Sequence, residues 1–338
     1  MSAVAESAAV ADKLPEWNRT QANYRAPMPR PPIRGRFIDG HLHLLARRHA
    51  DVWMQCADHF GIDHFVTQSP LEEAVVMQRK WGHRLTFVAV PNWWKLHEPG
   101  ALDDWLRRLE AFHNLGARMA KIHLAPGTMK RTGLRFDHPT IRRVLREIRD
   151  RGMIIMTHVG DPQIWYDGKY KQDDPHFLGS RKVQYELWEA ALTEYRGTPW
   201  LGAHLGGWPE NLPYMQTVLD RFPDLVLDLS ATRWMMRELS AQRDVAREFV
   251  IRNADRIIWG SDQVSGDARD WDFLASRWWS HRKLFETAIN EETPILDPDL
   301  PTDQQPKLAG FALPAPVLQK IYRDTCVRFM RQVGVEIG

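Results

Sequence analysis

Cysteine is nearly missing from this chain. The two that occur, Cys56 and Cys326, lie far apart in sequence, which excludes a CxxC metal pair, argues against a disulfide framework and fits a reducing compartment. Long apolar runs are missing too: no stretch approaches the roughly 18 residues of a membrane span, and the amino terminus has no basic start followed by an apolar core. A cytoplasmic protein without a membrane partner is expected. Neither charge sign dominates, with 45 Lys and Arg against 43 Asp and Glu, so nothing argues for nucleic acid as a partner and a small-molecule substrate is favoured. What is abundant is hydrophobic residues, at 43% of 338, ample for one large core.

Residues 1–35 are Ala-rich and then Pro-rich without sustained periodicity, and read as an N-terminal extension that wraps the domain or a neighbouring subunit. From residue 36 onward short β-rich runs alternate with longer amphipathic segments. Eight such runs can be counted: RFIDGHLH, IDHFVTQ, LTFVAVP, RMAKIHL, MIIMTHV, WLGAHLG, LVLDLSA and RIIWGSD. Between them lie helical candidates such as LDDWLRRLEAFHNLG, HPTIRRVLREIRDRG and SRKVQYELWEAALTEYRG, each beginning near a cap or Pro and ending at Gly. Eight β-then-α units predict an α/β protein, a (β/α)8 TIM barrel over residues 36–338. No Gly-rich phosphate turn follows the first strand, as the rival open sheet would lead one to expect.

In FIDGHLH, alternation points His41 and His43 to one side of a strand, about 7 Å apart. Two imidazoles so placed suit a divalent metal, but a single such pair among 14 histidines needs partners. The barrel supplies them, because its active sites lie at the C-terminal strand ends. His41 and His43 end strand one, Lys121 and His123 strand four, His158 strand five, His204 strand six and Asp262 strand eight. Strand parity turns Lys121 and His123 into the barrel, where a buried ammonium calls for a carboxylate, metal or substrate anion. The same parity sends Asp228 and Ser230 inward on strand seven.

The motifs FIDGHLH, GARMAKIHLAP, IIMTHVGDP, LGAHLGGWPE, LDLSATR and DRIIWGSD, in this order and spacing, resemble the amidohydrolase-related group of the amidohydrolase superfamily, relatives of aminocarboxymuconate semialdehyde decarboxylase. The likeness covers residues 36 to about 263 and resumes at VLQKIYRDTCVRFM. The resemblance implies that His41, His43, His158 and Asp262 hold a divalent metal, most often zinc with manganese as the alternative, and that His204 stands beside a metal-bound water or binds a second metal. One metal per chain is expected. A carboxylated Lys121 would instead bridge two, and otherwise serve as an anion anchor together with His204. Imidazoles and one carboxylate leave positive charge on zinc and a place for water, whose proton Asp262 can accept, with His204 as the other candidate acid or base.

Two departures from that group stand out. RDTCVRFM occupies the place of an Asn followed by a small residue, and residues 263–312 form a connection far longer than a usual loop, a lid or the contact of a homodimer. For substrate contacts, the loops after the strands supply Asn92, Trp93, Trp94, Arg131, Trp165, Tyr166, Lys169, Trp208 and Arg233, with His123, Arg131, Trp165 and Arg233 the leading candidates, since aromatic walls with a few cations suit a carboxylated or cyclic small molecule. Three functions remain: a metal-dependent hydrolase working through an activated water, favoured as the broader class; a metal-dependent non-oxidative decarboxylase, a lyase; and a non-catalytic barrel, which has no need of His204 and Asp262 in addition to the other ligands.

Overall fold

The computed structural model describes residues 15–170, 180–265 and 270–338; residues 1–14 of the extension and 266–269 of the long connection lie outside them. Each of the eight β-rich runs contains a strand: β1 Phe37–His43, β2 Ile62–Thr67, β3 Leu85–Ala89, β4 Met119–His123, β5 Ile154–His158, β6 Trp200–Gly202, β7 Leu225–Asp228 and β8 Ile257–Ile258. All pair in parallel with their sequence neighbours, and a further short strand, β9 Gln263–Val264, pairs in parallel with β1. The sheet thereby closes into a TIM barrel. The seam is made by the backbone of residues 259–265 running along β1, with Gly40 N donating to Trp259 O (2.9 Å), Asp262 N to His41 O (2.7 Å) and Ser265 N to His43 O (3.0 Å). Glycine is required on both sides of the seam. A Cβ on Gly40 would lie 2.4 Å from Ile258 Cγ2, and one on Gly260 would lie 2.8 Å from His41 Cβ.

The helices follow from local rules. In Pro139–Asp150, His138 caps the Thr140 amide (3.2 Å), Pro139 opens the first turn, and Ile141, Val144, Leu145 and Ile148 recur at helical spacing to bury one face. Gly152, at φ +64°, turns the chain out towards β5. Strand parity sorts the sheet as expected: Ala120, Ile122, Leu124, Leu225, Leu227 and Leu229 pack outward with the helices. Inward, Ile38, Val66, Met119, Ile154, Val226 and Ile258 form a separate cluster, completed by Cys326, Phe329 and Met330 of the C-terminal segment. The last helix thus plugs the end of the barrel away from the histidines. Both cysteines are buried thiols, and no helix among the described residues is long and apolar enough to cross a membrane.

Much of the long connection is built into the barrel wall. Trp271–Glu286, counted with the connection on sequence grounds, is a helix against Ala50–Phe60, where Trp53 and Trp278 meet edge to face at 6.0 Å. The excursion proper begins after it, with an antiparallel pair of β10 Asn290–Glu292 and β11 Lys307–Ala309. Its tip reaches back over the strand ends: Arg237 pairs with the buried Asp297 and, at 3.5 Å, with Asp299, while Trp165 Nε1 donates to Asp299 Oδ2 (2.6 Å). The described part of the extension straps this assembly from outside, through Trp17 on Phe273 (5.8 Å), Tyr24 on Trp279 (5.7 Å) and Leu296 N to Glu16 O (2.7 Å).

Two substitutions test these roles. Phe329→Ala, which empties a site only 2% exposed, is expected to cost about 3–5 kcal/mol, read as a lowered denaturation midpoint. Arg237→Ala leaves the Asp297 carboxylate, 1% exposed, without its partner at a cost of about 3–5 kcal/mol. That loss should appear as new protease cleavage within residues 287–312 before the barrel itself unfolds.

Candidate functional site

Five histidines, His41, His43, His123, His158 and His204, and two aspartates, Asp228 and Asp262, meet where the strands end. His41 is fixed first. Its Nδ1 lies 2.9 Å from Asp228 Oδ2 and 2.9 Å from Ser230 Oγ, and Ser230 Oγ is also 2.8 Å from His204 Nδ1. The Ser230 hydroxyl has one proton, and it goes to Asp228 Oδ1 in a short bond. Both imidazoles must therefore donate from Nδ1, which leaves a lone pair on Nε2 of each. Asp228 also accepts from the backbone amides of His204 (2.9 Å) and Ser230 (3.0 Å). Burial works against its charge, yet His41 and its other donors hold the carboxyl well below the usual range. Burial likewise pushes His41, His123 and His204 below the ordinary imidazole value, favouring the neutral, ligating form.

Asp262 reaches this point because the eighth strand breaks. Between β8 and β9 the chain passes through φ +53° at Asp262, a conformation that Asp tolerates better than most residues. Asp39, fully buried, accepts from Ser261 N (3.0 Å), Ser261 Oγ (2.5 Å) and Trp278 Nε1 (2.8 Å), and so clamps the residue beside Asp262 to β1 and to the wall helix. Asp262 Oδ1 then stands 3.3 Å from His41 Nε2 and 3.0 Å from His43 Nε2.

This arrangement fits a divalent cation. His41 Nε2 is buried, carries a lone pair and has no hydrogen-bond partner among the described residues, and it faces a carboxylate oxygen, so two acceptors confront each other. A tetrahedral ion with bonds of 2.0–2.1 Å sets its ligand atoms about 3.3 Å apart, close to the separations seen. The ligand atoms of His41, His43 and Asp262 all lie within 4.8 Å of one another. A second triple, His41, His204 and Asp228, is equally compact, but the Ser230 hydroxyl already joins its members by hydrogen bonds.

His158 is in the cluster without joining either triple. Its ring is 4.5 Å from those of His123 and His204, but Nε2 donates to Gly160 O (3.0 Å) and Asp161 Oδ1 (3.1 Å), which leaves the lone pair on Nδ1. Asp161 is held in turn by Tyr170 Oη (2.8 Å). Lys121 is 1% exposed; burial lowers its ammonium to about 8, against the pull of Asp228 and Asp262.

A cavity of about 660 Å³ opens beside His43 and His123, lined by Gln68, Asn92, Trp93, Trp94, Thr128 and Arg131 among others. His123 is anchored there by Thr128 Oγ1 on Nδ1 (2.8 Å) and by the edge of Trp93 at 5.8 Å. Of the proposed substrate contacts, His123 and Arg131 line this cavity. Trp165 is tied to Asp299, and Arg233 is half-buried just before the helix Trp234–Ala241. Sequence reasoning passed over Gln68, whose Nε2 is 3.4 Å from His43 Nε2, and Asp161, whose only signal was its place in the turn after His158.

The family model described as amidohydrolase matches residues 38–331. Among solved structures, a TIM-barrel protein from Bordetella bronchiseptica is similar at 16% identity, covering 88% of this chain and 99% of the other, with a TM-score of 0.52. A 2,6-dihydroxybenzoate decarboxylase from Rhizobium is similar at 14% identity over 89% and 100%, with a TM-score of 0.51. A 5-carboxyvanillate decarboxylase from Sphingomonas paucimobilis is similar at 11% over 88% and 99%, with a TM-score of 0.50. None of the curated proteins matches. At such identities the likeness speaks for the fold.

The hydrogen-bond pattern makes the inner carboxylate as important as the ligands it touches. Asp228→Asn or Ser230→Ala should weaken divalent-metal affinity about 10–100-fold with little change in the far-ultraviolet dichroism, measured by competition with a chromophoric chelator. Unchanged affinity in both would remove these residues from the tautomer argument.

Proposed function

Because the chain belongs to the amidohydrolase family, we propose that it is a metal-dependent hydrolase of a small carboxylated or cyclic molecule. The observation that carries this reading is the lone-paired Nε2 of His41 set against Asp262 Oδ1 at 3.3 Å, with His43 at the same oxygen. His41, His43, Asp262 and, through Nδ1, His158 would hold one divalent ion, with zinc favoured by the nitrogen-rich set. Such an ion supplies the Lewis-acid charge that makes water acidic and polarises a carbonyl.

The chain's own groups do the rest. Asp262, with 28% of its side chain exposed, is the carboxylate placed to take the proton of an attacking water and pass it to the leaving group. His204 is locked by Ser230 with Nε2 as acceptor, a second proton carrier at the same centre. Lys121 contributes positive charge from below, at a site too dry to hold it without the neighbouring carboxylates. Trp93, Trp94 and Val90 give the adjoining cavity apolar walls, which suit a ring.

That same lining supports a second reading, a non-oxidative decarboxylase acting on a carboxylated ring. The two chemistries differ in where solvent oxygen goes. With a substrate found by screening lactones, amides and carboxylated rings, turnover in oxygen-18 water is expected to label the organic product. Release of one carbon dioxide per turnover with an unlabelled organic product would establish the lyase instead.

A further inference from the structure

The cavity beside His43 and His123 contains two arginines, and their circumstances differ. Arg108 is fully occupied: its guanidinium meets Glu72 at 2.8 Å and Asp104 at 2.9 Å, and thereby also neutralises the one acid among the lining residues. Arg131 has no carboxylate among the described residues. Its guanidinium lies over the ring of Trp94, 5.4 Å from the centroid, and Trp94 is itself 77% exposed, the most exposed large apolar side chain described. A guanidinium held over a ring by cation–π attraction spends no N–H donor on a carboxylate, and its fork can still grip an oxyanion.

A second donor is set beside it. Asn92 uses its Oδ1 to cap the Trp94 amide at 3.3 Å, so its Nδ2 hydrogens are left for the cavity that it lines with Arg131. Position separates these donors from the reacting end. His123 is bonded to Thr128, and Arg131 follows Thr128 by three residues on the helix Pro126–Thr132, about 4.5 Å further along the axis. Arg131 and Trp94 are therefore at the rim, while His43 and His123 form the floor.

Resting on the function proposed above, we propose that Arg131, set over the ring of Trp94 and assisted by Asn92, is an anion subsite that holds a carboxylate of the substrate at the rim. That carboxylate is a handle and stays on the product. The part of the molecule that reacts is a different one, a ring's width deeper, where His43 and Asp262 stand. Substrates of this class carry an anionic substituent on the side of a ring opposite to the bond that is broken. Trp93 and Trp94 provide the apolar wall between the two ends.

The test uses the metal-loaded full chain with benzoate as the probe and benzamide, of the same shape without the charge, as its control. Binding is read from tryptophan fluorescence and by calorimetry. Wild type should prefer benzoate over benzamide by about tenfold or more, the range expected for a charge-assisted pair. Arg131→Gln should abolish that preference, and Arg131→Lys, which keeps the charge but loses the fork, should retain part of it. Metal content should remain that of wild type in both variants. Benzoate binding that is absent in wild type, or unchanged in Arg131→Gln, overturns the subsite, whatever the metal content. A wild-type chain that binds no metal but still selects benzoate through Arg131 would overturn the hydrolase reading and leave the subsite standing.

Discussion

The geometry at the strand ends depends on one buried carboxylate. Asp228 takes the Nδ1 proton of His41, the hydroxyl proton of Ser230 and two backbone amides, and through Ser230 it also governs His204. A carboxylate with no access to water is costly unless its lone pairs are filled, and here they are filled by groups whose orientation matters. Satisfying Asp228 is therefore the same event as turning two imidazoles so that their free nitrogens face the centre. The imidazoles are preorganised by the cost of doing otherwise.

A comparable constraint works across the seam. Asp39 is buried on the opposite side of β1 and binds Ser261 and Trp278, so the loop that carries Asp262 is gripped from behind while its carboxylate meets His41 and His43 in front. The two buried aspartates, Asp39 on β1 and Asp228 on β7, differ in role. One sets the tautomers of histidines, and the other sets the backbone of a carboxylate at positive φ. Burial without enough compensation pushes Asp39 up to about 6, whereas the histidine contacts carry Asp228 in the opposite direction.

The features that were legible in sequence are those written in short-range periodicity. The eight strands, the helices ending at Gly, and the inward parity of Lys121, His123, Asp228 and Ser230 all follow from alternation within a few residues. The destinations of side chains on loops do not. Trp165 and Arg131 look alike on paper as cavity candidates, but Trp165 is captured by Asp299, 134 residues later, while among the described residues Arg131 meets the ring of Trp94 and no carboxylate. Arg108 reads as one more charge on an amphipathic helix, and only the approach of Glu72 brings it to a cavity wall. The nitrogen that His158 presents is likewise decided by a turn, since Gly160 O and Asp161 claim the other one. The helix Trp271–Glu286 was hidden for a related reason: with most of its face buried on both sides, it lacks the clear polar stripe that marks its neighbours.

The closing seam has a consequence for how the chain comes into being. β1 is made early, yet the edge it shares with β9 stays open until residues 263–264 exist, and the plug of Phe329 and Met330 comes later still. The extension at Glu16 waits for Leu296 in the same way. During synthesis the first strand must therefore persist with an unpaired edge while more than two hundred residues are added, the kind of long-range pairing that makes folding slow. The pair His41 and His43 emerges long before the carboxylate that completes it. A nascent chain cannot offer the three-atom cradle, so any cation held there would require that the barrel has closed.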